Sequence, residues 1–212
     1  MAEEKNLQEA FKELRKEKKR KFVQSVDLIV NLHYYDVRKE ALNTFLKVPH
    51  PSEKKICAFL TKKVKIVPCL TEDDFVKYKD KRDMKKLANS FDFFIATPSL
   101  MSKIASKFGR VFGPLGKMPS PQGGIIPKED EATIKETVDK MKNLVRVRNK
   151  EASIKLTAGK ENMSDKDLIE NIEALLNGLE KNLPRGKENI KNAYVKLTMS
   201  KPIKFLDNNK IK

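Results

Sequence analysis

Four segments that read as β-strands stand at the two ends of this 212-residue chain, two at each end, and neither end holds enough of them for a stable sheet. The four segments alternate or cluster apolar residues over short runs, at 25–33, 44–48, 153–157 and 193–199. An isolated two-stranded sheet is marginal in water. Both ends are therefore predicted to build one split domain, from residues 1–52 and 153–212.

The intervening residues 53–152 have a different pattern, in which short apolar runs alternate with helical ones. The predicted strands are 56–60, 64–67, 91–96 and 145–148, and the predicted helices are 81–89, 98–108 and 129–145. Such alternation is typical of a largely parallel sheet covered on both faces. The fold class is therefore α/β (α+β), with a split antiparallel-sheet α+β sandwich and an inserted α/β domain. Linkers at 49–52 and 149–153 are predicted to form a hinge.

Two helices are predicted for the split domain. Residues 3–19 place Leu7, Phe11 and Leu14 on one face. The second helix starts at Ser164, since serine followed three residues later by an acid resembles a capping box. Pro202 is predicted to end the last strand of the chain.

The charge balance indicates a polyanionic partner. Forty-five Lys and Arg against 29 Asp and Glu leave a net charge of +16, and nucleic acid is the default partner of so basic a chain. An anionic membrane surface is the alternative. No run of 18 apolar residues occurs, so no segment is predicted to span a bilayer. Nucleic acid is the preferred interpretation, and no membrane partner is predicted.

No catalytic, metal or cofactor site is apparent in the sequence. Cys57 and Cys69 each stand in an apolar segment, which predicts buried thiols and a reduced, cytoplasmic setting. His33 and His50 lack zinc-ligand spacing, and no nucleophile stands with a histidine and a carboxylate. The chain is therefore predicted not to be an enzyme and to carry no cofactor.

Residues 108–127 concentrate five of the eight glycines and four of the ten prolines, which predicts a loop of defined shape. Two cations within it suit a phosphate-contacting surface, so the candidate residues here are Arg110, Gly113, Gly116 and Lys117. A nucleotide-binding P-loop is excluded, because Val111 stands where its first glycine belongs and Met118 follows the lysine. A rigid connection without a ligand is the alternative.

The same stretch resembles the Gly-Pro-x-Gly-Lys-Met-Pro-x-Pro signature of the L-one family of large-subunit ribosomal proteins in its archaeal form. The resemblance extends over nearly the whole chain, in family order, through residues 20–22, 24–28, 87–88, 92–96 and 194–199. It implies a terminal domain of helices on an antiparallel sheet and an inserted Rossmann-like three-layer domain.

The resemblance also implies a function. The expected partner is large-subunit rRNA of the lateral stalk near the exit site for deacylated tRNA, and the same surface is expected to bind the leader of the protein's own mRNA as a translational repressor. The protein is then cytoplasmic, on the ribosome, and a monomer away from it; exit-site tRNA is a further expected partner.

The RNA surface is predicted where the first helix leads into the first strand and where the last strand ends. Neighbouring first and last segments would combine cations, hydroxyls, an amide and an aromatic side chain, a set that suits folded RNA. The predicted RNA-binding residues are Arg20, Lys21, Phe22, Gln24, Ser25, Lys155, Gly159, Lys160, Lys196, Thr198, Met199 and Ser200. For Phe22 and Met199, burial in the core is the alternative.

Three departures from the family pattern stand out. Ser200 replaces a glycine that would allow a closer backbone approach to RNA. Leu115 stands where the family often has arginine, and residues 60–64 are too short for a helix that many relatives carry. Two rival functions remain at this point: a nucleotide-dependent enzyme using the inserted domain, and a general basic binder of nucleic acid.

Overall fold

The structure is a computed structural model that describes residues 2–17, 20–64, 66–78, 80–121, 123–127, 129–149 and 151–208. Its α-helices and strands, in chain order, are α1 (Ala2–Lys16), β1 (Ser25–Leu32), β2 (Asn43–Lys47), β3 (Ile56–Phe59), β4 (Cys69–Leu70), α2 (Lys81–Ser90), β5 (Phe93–Ala96), α3 (Pro98–Leu115), α4 (Glu131–Lys142), β6 (Leu144–Arg148), β7 (Ser153–Lys160), α5 (Asp165–Asn182), β8 (Ile190–Leu197) and β9 (Ile203–Asp207), with short 3-10 helices at Glu72–Lys77 and Gly186–Asn189. Two compact units result, residues 1–52 with 143–212 and residues 53–142.

The first unit is an antiparallel sheet with helices on one face. The strand order is β7-β1-β8-β9, so both chain ends contribute to one sheet. Every second residue of β1 is buried, and these side chains pack in one core with the apolar faces of α1 and α5. The fold class predicted from the sequence is confirmed by this sheet together with the parallel sheet of the second unit.

The predicted start of α5 is also confirmed. Ser164 is the N-cap residue, and its hydroxyl accepts a hydrogen bond from the amide of Asp167 at 3.2 Å. Asn171 of the same helix is fully buried, where it exchanges hydrogen bonds of 2.9 and 2.7 Å with the backbone of His50. The chain is thereby attached to α5 at the point where it leaves the first unit.

Two strands of the first unit differ from the prediction. β6 was expected at the edge of the inserted sheet, whereas it pairs with β2 in a two-stranded antiparallel sheet. The chain therefore returns to the first unit at residue 143 rather than at 153. β9 contradicts the prediction that Pro202 ends the sheet. It pairs with β8 and buries Phe205, since a proline just before a strand costs no ladder hydrogen bond.

The second unit is a three-stranded parallel sheet with the order β4-β3-β5. The prediction of a strand at 64–67 is wrong. The strand that pairs with β3 on the side away from β5 is the short β4. Phe59, Phe94, Phe108 and Phe112 pack ring against ring between the sheet and α3, with centroid separations of 4.6 to 6.2 Å. No helix is assigned between β3 and β4 in the described residues, as the short spacing predicted.

The glycine- and proline-rich stretch is helical over its first part, which contradicts a loop beginning at residue 108. α3 continues to Leu115 with Pro114 inside its last turn, and Gly116 ends it in the left-handed conformation, at φ 70°. Aromatic residues at 108 and 112 are one helical turn apart and both are fully buried. Their packing against the sheet stabilises the helix beyond its second glycine.

Candidate nucleic-acid interface

The ends of three neighbouring strands meet at Ser25, the first residue of β1. Ser25 lies opposite Lys160, the last residue of β7, and the Lys160 ammonium donates to the Ser25 hydroxyl at 3.1 Å. On the other side, the Ser25 amide donates to the hydroxyl of Thr198 at 3.0 Å, and the Thr198 amide donates to the Ser25 carbonyl at 3.1 Å. Residues far apart in the sequence thus form one edge.

The segment before β1 is tied to the turn after β8. Gln24 is 4% exposed, and its side-chain oxygen accepts a hydrogen bond of 3.1 Å from the amide of Met199. The Gln24 amide donates to the carboxylate of Glu161 at 3.3 Å, while the Glu161 amide donates to the Gln24 carbonyl at 2.9 Å. Gln24 therefore holds the framework of the site through a buried side chain.

Three apolar side chains on this framework are exposed. The exposed fractions are 52% for Phe22, 58% for Val23 and 58% for Met199. Burial of Phe22 or Met199 in the core is therefore wrong. Val23 is not among the predicted residues; its signal in the sequence is its place directly after Phe22, because the burial of Gln24 is visible only in the structure. Adjacent exposed apolar groups on one surface commonly mark a binding site.

The predicted cations are distributed unevenly around this end. Arg20 and Lys21 are exposed in the segment that leads to Phe22. Lys196 lies on β8, next to the turn, and pairs with Asp27 of β1. Lys155 lies apart: it is five residues before Lys160 along β7, roughly 16 Å away, and its ammonium is 3.8 Å from the carboxylate of Glu151.

Ser200 and Gly159 have structural roles at this end. The Ser200 hydroxyl accepts a hydrogen bond of 2.8 Å from the Leu197 amide, which closes the turn that presents Thr198 and Met199. Gly159 is buried opposite Val26, and a Cβ atom there would lie 2.6 Å from Leu168 Cδ2. This glycine is therefore explained by the close packing of the sheet on α5 and not by a close approach to RNA.

The candidate residues of the second unit lie on α3 and at its end. Arg110 is exposed on α3, and Gly113 lies inside the same helix. Gly116 is the C-cap residue, and the ammonium of Lys117 donates to the carbonyl oxygens of Ala88 and Phe91 at 2.7 and 2.8 Å. Lys117 therefore links the end of α3 to the end of α2, and its cation is directed at backbone oxygens.

Neither cysteine has the environment of a nucleophile or a metal ligand. Burial raises the pKa of the Cys57 thiol to about 12, and Cys69 is half-buried. Within the described residues, no three His, Cys, Asp or Glu side chains are grouped to hold a metal ion. The helices described there are also too short or too polar to cross a membrane.

Comparison with known proteins identifies the family of this chain. The profile of the ribosomal protein L1p/L10e family matches residues 14–201. Large ribosomal subunit protein uL1 of Nanoarchaeum equitans is 36% identical over 207 residues, which are 92% of this chain and 97% of that protein. The corresponding protein of Pyrobaculum islandicum is 35% identical, covering 90% of this chain and 88% of its own length.

A third relative, large ribosomal subunit protein uL1 of Methanocaldococcus jannaschii, is 35% identical over 211 residues, 93% of this chain and 94% of that protein. The resemblance inferred from the sequence blocks is thereby confirmed. The chain belongs to the ribosomal protein L1p/L10e family, in its archaeal type, and it is not an enzyme.

Proposed function

We propose that this protein is a structural constituent of the large ribosomal subunit and that it binds rRNA of the lateral stalk, near the tRNA exit site, through the strand-end surface of its first unit. This strand-end surface comprises Arg20, Lys21, Phe22, Val23, Ser25, Lys160, Lys196, Thr198 and Met199. The observation that carries the proposal is the exposure of Phe22 and Met199 on a hydrogen-bonded framework beside cations. The family supports a ribosomal partner.

The side chains of this surface suit folded RNA in three ways. Arg20, Lys21 and Lys160 supply cations for phosphate groups. Thr198 is exposed, and a hydroxyl group suits the 2′-hydroxyl groups that RNA displays in its shallow groove. The Phe22 ring offers a flat face for stacking on an unpaired base. Hydrogen bonds between Gln24 and Met199 and between Ser25 and Thr198 hold these groups in place before RNA arrives, which lowers the ordering cost of binding.

The test compares two exposed aromatic residues of the first unit. Phe22→Ala is expected to weaken binding to a stalk rRNA fragment by about 1–3 kcal/mol, as the loss of base stacking does. Tyr34→Ala is the matched control, since Tyr34 is 72% exposed at the opposite end of β1. Filter binding at fixed salt measures both. Equal affinity of the Phe22 variant and the unchanged protein would refute the proposed surface.

A second arm separates specific recognition from general attraction to polyanions. A scrambled hairpin of equal length is expected to bind much more weakly than the stalk fragment, because site-specific contacts add to a common electrostatic background. Similar affinities for both RNAs, with a steep salt dependence, would instead support a general basic binder, which the net charge of +16 also explains.

The proposal extends to two further RNA partners. The leader of the protein's own mRNA is expected to bind the same strand-end surface, so stalk rRNA should displace a labelled leader in competition. Deacylated tRNA at the exit site is expected to meet the inserted domain, carried on its two linkers, only within the ribosome. A leader that binds together with stalk rRNA would refute the shared surface.

A further inference from the structure

The parallel sheet of the second unit has a strand order of the kind that places ligand sites at strand ends in α/β folds. β3 is followed in the chain by β4 on one side and later by β5 on the other. The chain leaves β3 toward β4, and after β5 it returns beside Ala96 at Ile125, on the side away from β3. Such a reversal is a switch point, where α/β folds form their ligand crevices. Thr61 and Thr97 lie at these two strand ends, shortly after β3 and directly after β5.

A carboxylate of the chain itself occupies this position. One oxygen of Glu129 accepts a hydrogen bond of 2.9 Å from the Thr61 amide, and the other accepts one from the Thr61 hydroxyl. The Lys62 amide and the side chain of Thr97 also lower the pKa of this carboxylate. The amide and the hydroxyl of Thr61 thus hold the two oxygens of one anion.

The electrostatics of the crevice favour an anion. Partial burial by itself raises the pKa of Glu129, but the hydrogen bonds from Thr61, the Lys62 amide and Thr97 outweigh burial, so this pKa lies below its ordinary value. α3 begins next to Thr97 with no hydrogen bond from the Thr97 side chain to cap it, so the positive end of an 18-residue helix faces the same region. Lys62 and Lys63 are exposed beside Thr61 and add positive charge.

The segment that carries Glu129 is fixed close to β5. Ala96 and Ile125 form a parallel bridge, with hydrogen bonds of 2.7 Å from the Ala96 amide to the Gly124 carbonyl and 3.0 Å from the Ile126 amide to the Ala96 carbonyl. A Cβ atom on Gly124 would lie 2.9 Å from the Phe94 carbonyl oxygen. The glycine therefore lets the chain run beside β5, and Glu129 follows a few residues later.

From this arrangement we propose that the strand ends at Thr61, Lys62 and Thr97 form an oxyanion site that the chain keeps closed with Glu129, and that the site binds a phosphate group once that carboxylate is removed. The donors that hold a carboxylate here are those that bind phosphate in related crevices: backbone amides, hydroxyls and a helix N-terminus. Intramolecular placement of Glu129 gives it a high effective concentration, so free phosphate does not displace it in the unchanged protein.

The experiment titrates inorganic phosphate into ¹⁵N-labelled Glu129→Ala protein at constant ionic strength, with chloride as the balancing anion. Saturable shifts of the Thr61 and Lys62 amide signals are expected, with a dissociation constant at least about tenfold lower than in the unchanged protein (about 1.4 kcal/mol). Glu136→Ala is the matched control, since Glu136 is an exposed acid on α4. Amide signals report the crevice alone, so phosphate bound at the strand-end surface of the first unit does not interfere.

Two further arms keep the result decisive. Glu129→Gln keeps the size of the side chain and serves if the alanine variant does not fold. It is also expected to bind phosphate more tightly than the unchanged protein does, by a smaller factor than Glu129→Ala. Adenosine monophosphate in place of phosphate distinguishes a phosphate monoester from the free ion, and the ligand that shifts Thr61 and Lys62 at lower concentration is the preferred source. Unchanged Thr61 and Lys62 signals in both variants, or equal shifts in the Glu136→Ala protein, would overturn the proposal. The rRNA affinity of the first unit does not enter either outcome.

Discussion

Two regions of this protein carry the sequence signals of an RNA-contacting surface, and the structure uses them in opposite ways. The strand-end surface of the first unit exposes Phe22 and Met199 and buries the polar group that supports them, Gln24. The stretch around Lys117 in the second unit does the reverse. Its cation is bound to two backbone oxygens, and its aromatic residues Phe108 and Phe112 are buried in the core.

The difference shows that residue type alone does not separate a binding residue from a structural one. Lys117 and Lys160 both stand beside glycines in the sequence, but Lys117 is the link between two helix ends, whereas Lys160 lies at an open sheet edge beside a hydroxyl. A buried or satisfied group contributes to stability, and an exposed group on a fixed framework remains available to a partner. The following predictions change one region at a time.

The largest effect is expected at the closest backbone approach in the second unit. Gly124→Ala places a methyl group 2.9 Å from a carbonyl oxygen and should lower the free energy of unfolding by about 3 kcal/mol. Gly113→Ala is the matched change, because that glycine lies in α3 with open space around it; it should raise the same quantity by about 0.5–1 kcal/mol. Urea unfolding measures both, and equal effects would contradict the distinction.

Loss of the Lys117 cation tests whether it serves stability or RNA. Lys117→Met removes two hydrogen bonds, one to the Ala88 carbonyl in the last turn of α2 and one to the Phe91 carbonyl directly after this helix. The variant should lower the free energy of unfolding by about 2 kcal/mol. Arg110→Met, on the exposed face of α3, should leave stability nearly unchanged. Stalk rRNA affinity should not change in either protein. A clear loss of stalk rRNA affinity with unchanged stability in the Lys117 variant would mean that Lys117 contacts RNA.

Thr198 is expected to serve both purposes at once. Thr198→Val removes the acceptor of the Ser25 amide and should cost about 1 kcal/mol of stability, together with a measurable loss of rRNA affinity. Thr137→Val is the control, because its hydroxyl donates to a backbone carbonyl within α4. Thermal unfolding and filter binding should therefore show a similar stability change in both variants and an affinity change only at Thr198.

The smallest effect concerns single cations of the first unit. Lys160→Met should reduce the slope of log affinity against log salt by about 0.7–0.9, the value for one phosphate contact. Lys155→Met should leave the slope unchanged, since Lys155 lies farther along β7 and near Glu151. Identical slopes for the two variants would mean that the RNA follows the strand rather than its end.

Much of the architecture was already determined by the sequence. Alternation along β1, the helical spacing of α1 and the serine cap of α5 depend on residues within a few positions of one another. Local geometry of this kind is readable from one chain because burial of one face imposes a period. The shortage of strands at each end likewise required a split sheet, and the sequence blocks pointed to the family.

Only the tertiary structure decided where the chain pairs and which groups stay free. β6 joins β2 and β9 joins β8 through hydrogen bonds between residues far apart in the sequence, which no local pattern specifies. Exposure of Phe22 and Met199 follows from the bonds of Gln24 and Ser25 across more than 170 residues. Glu129 likewise reaches Thr61 only because the chain folds back beside β5. Side chains are buried and hydrogen bonded by segments that are far apart in the sequence. The same residue type can therefore lie in the core, join two helices or stay exposed, depending on which residues the fold places next to it.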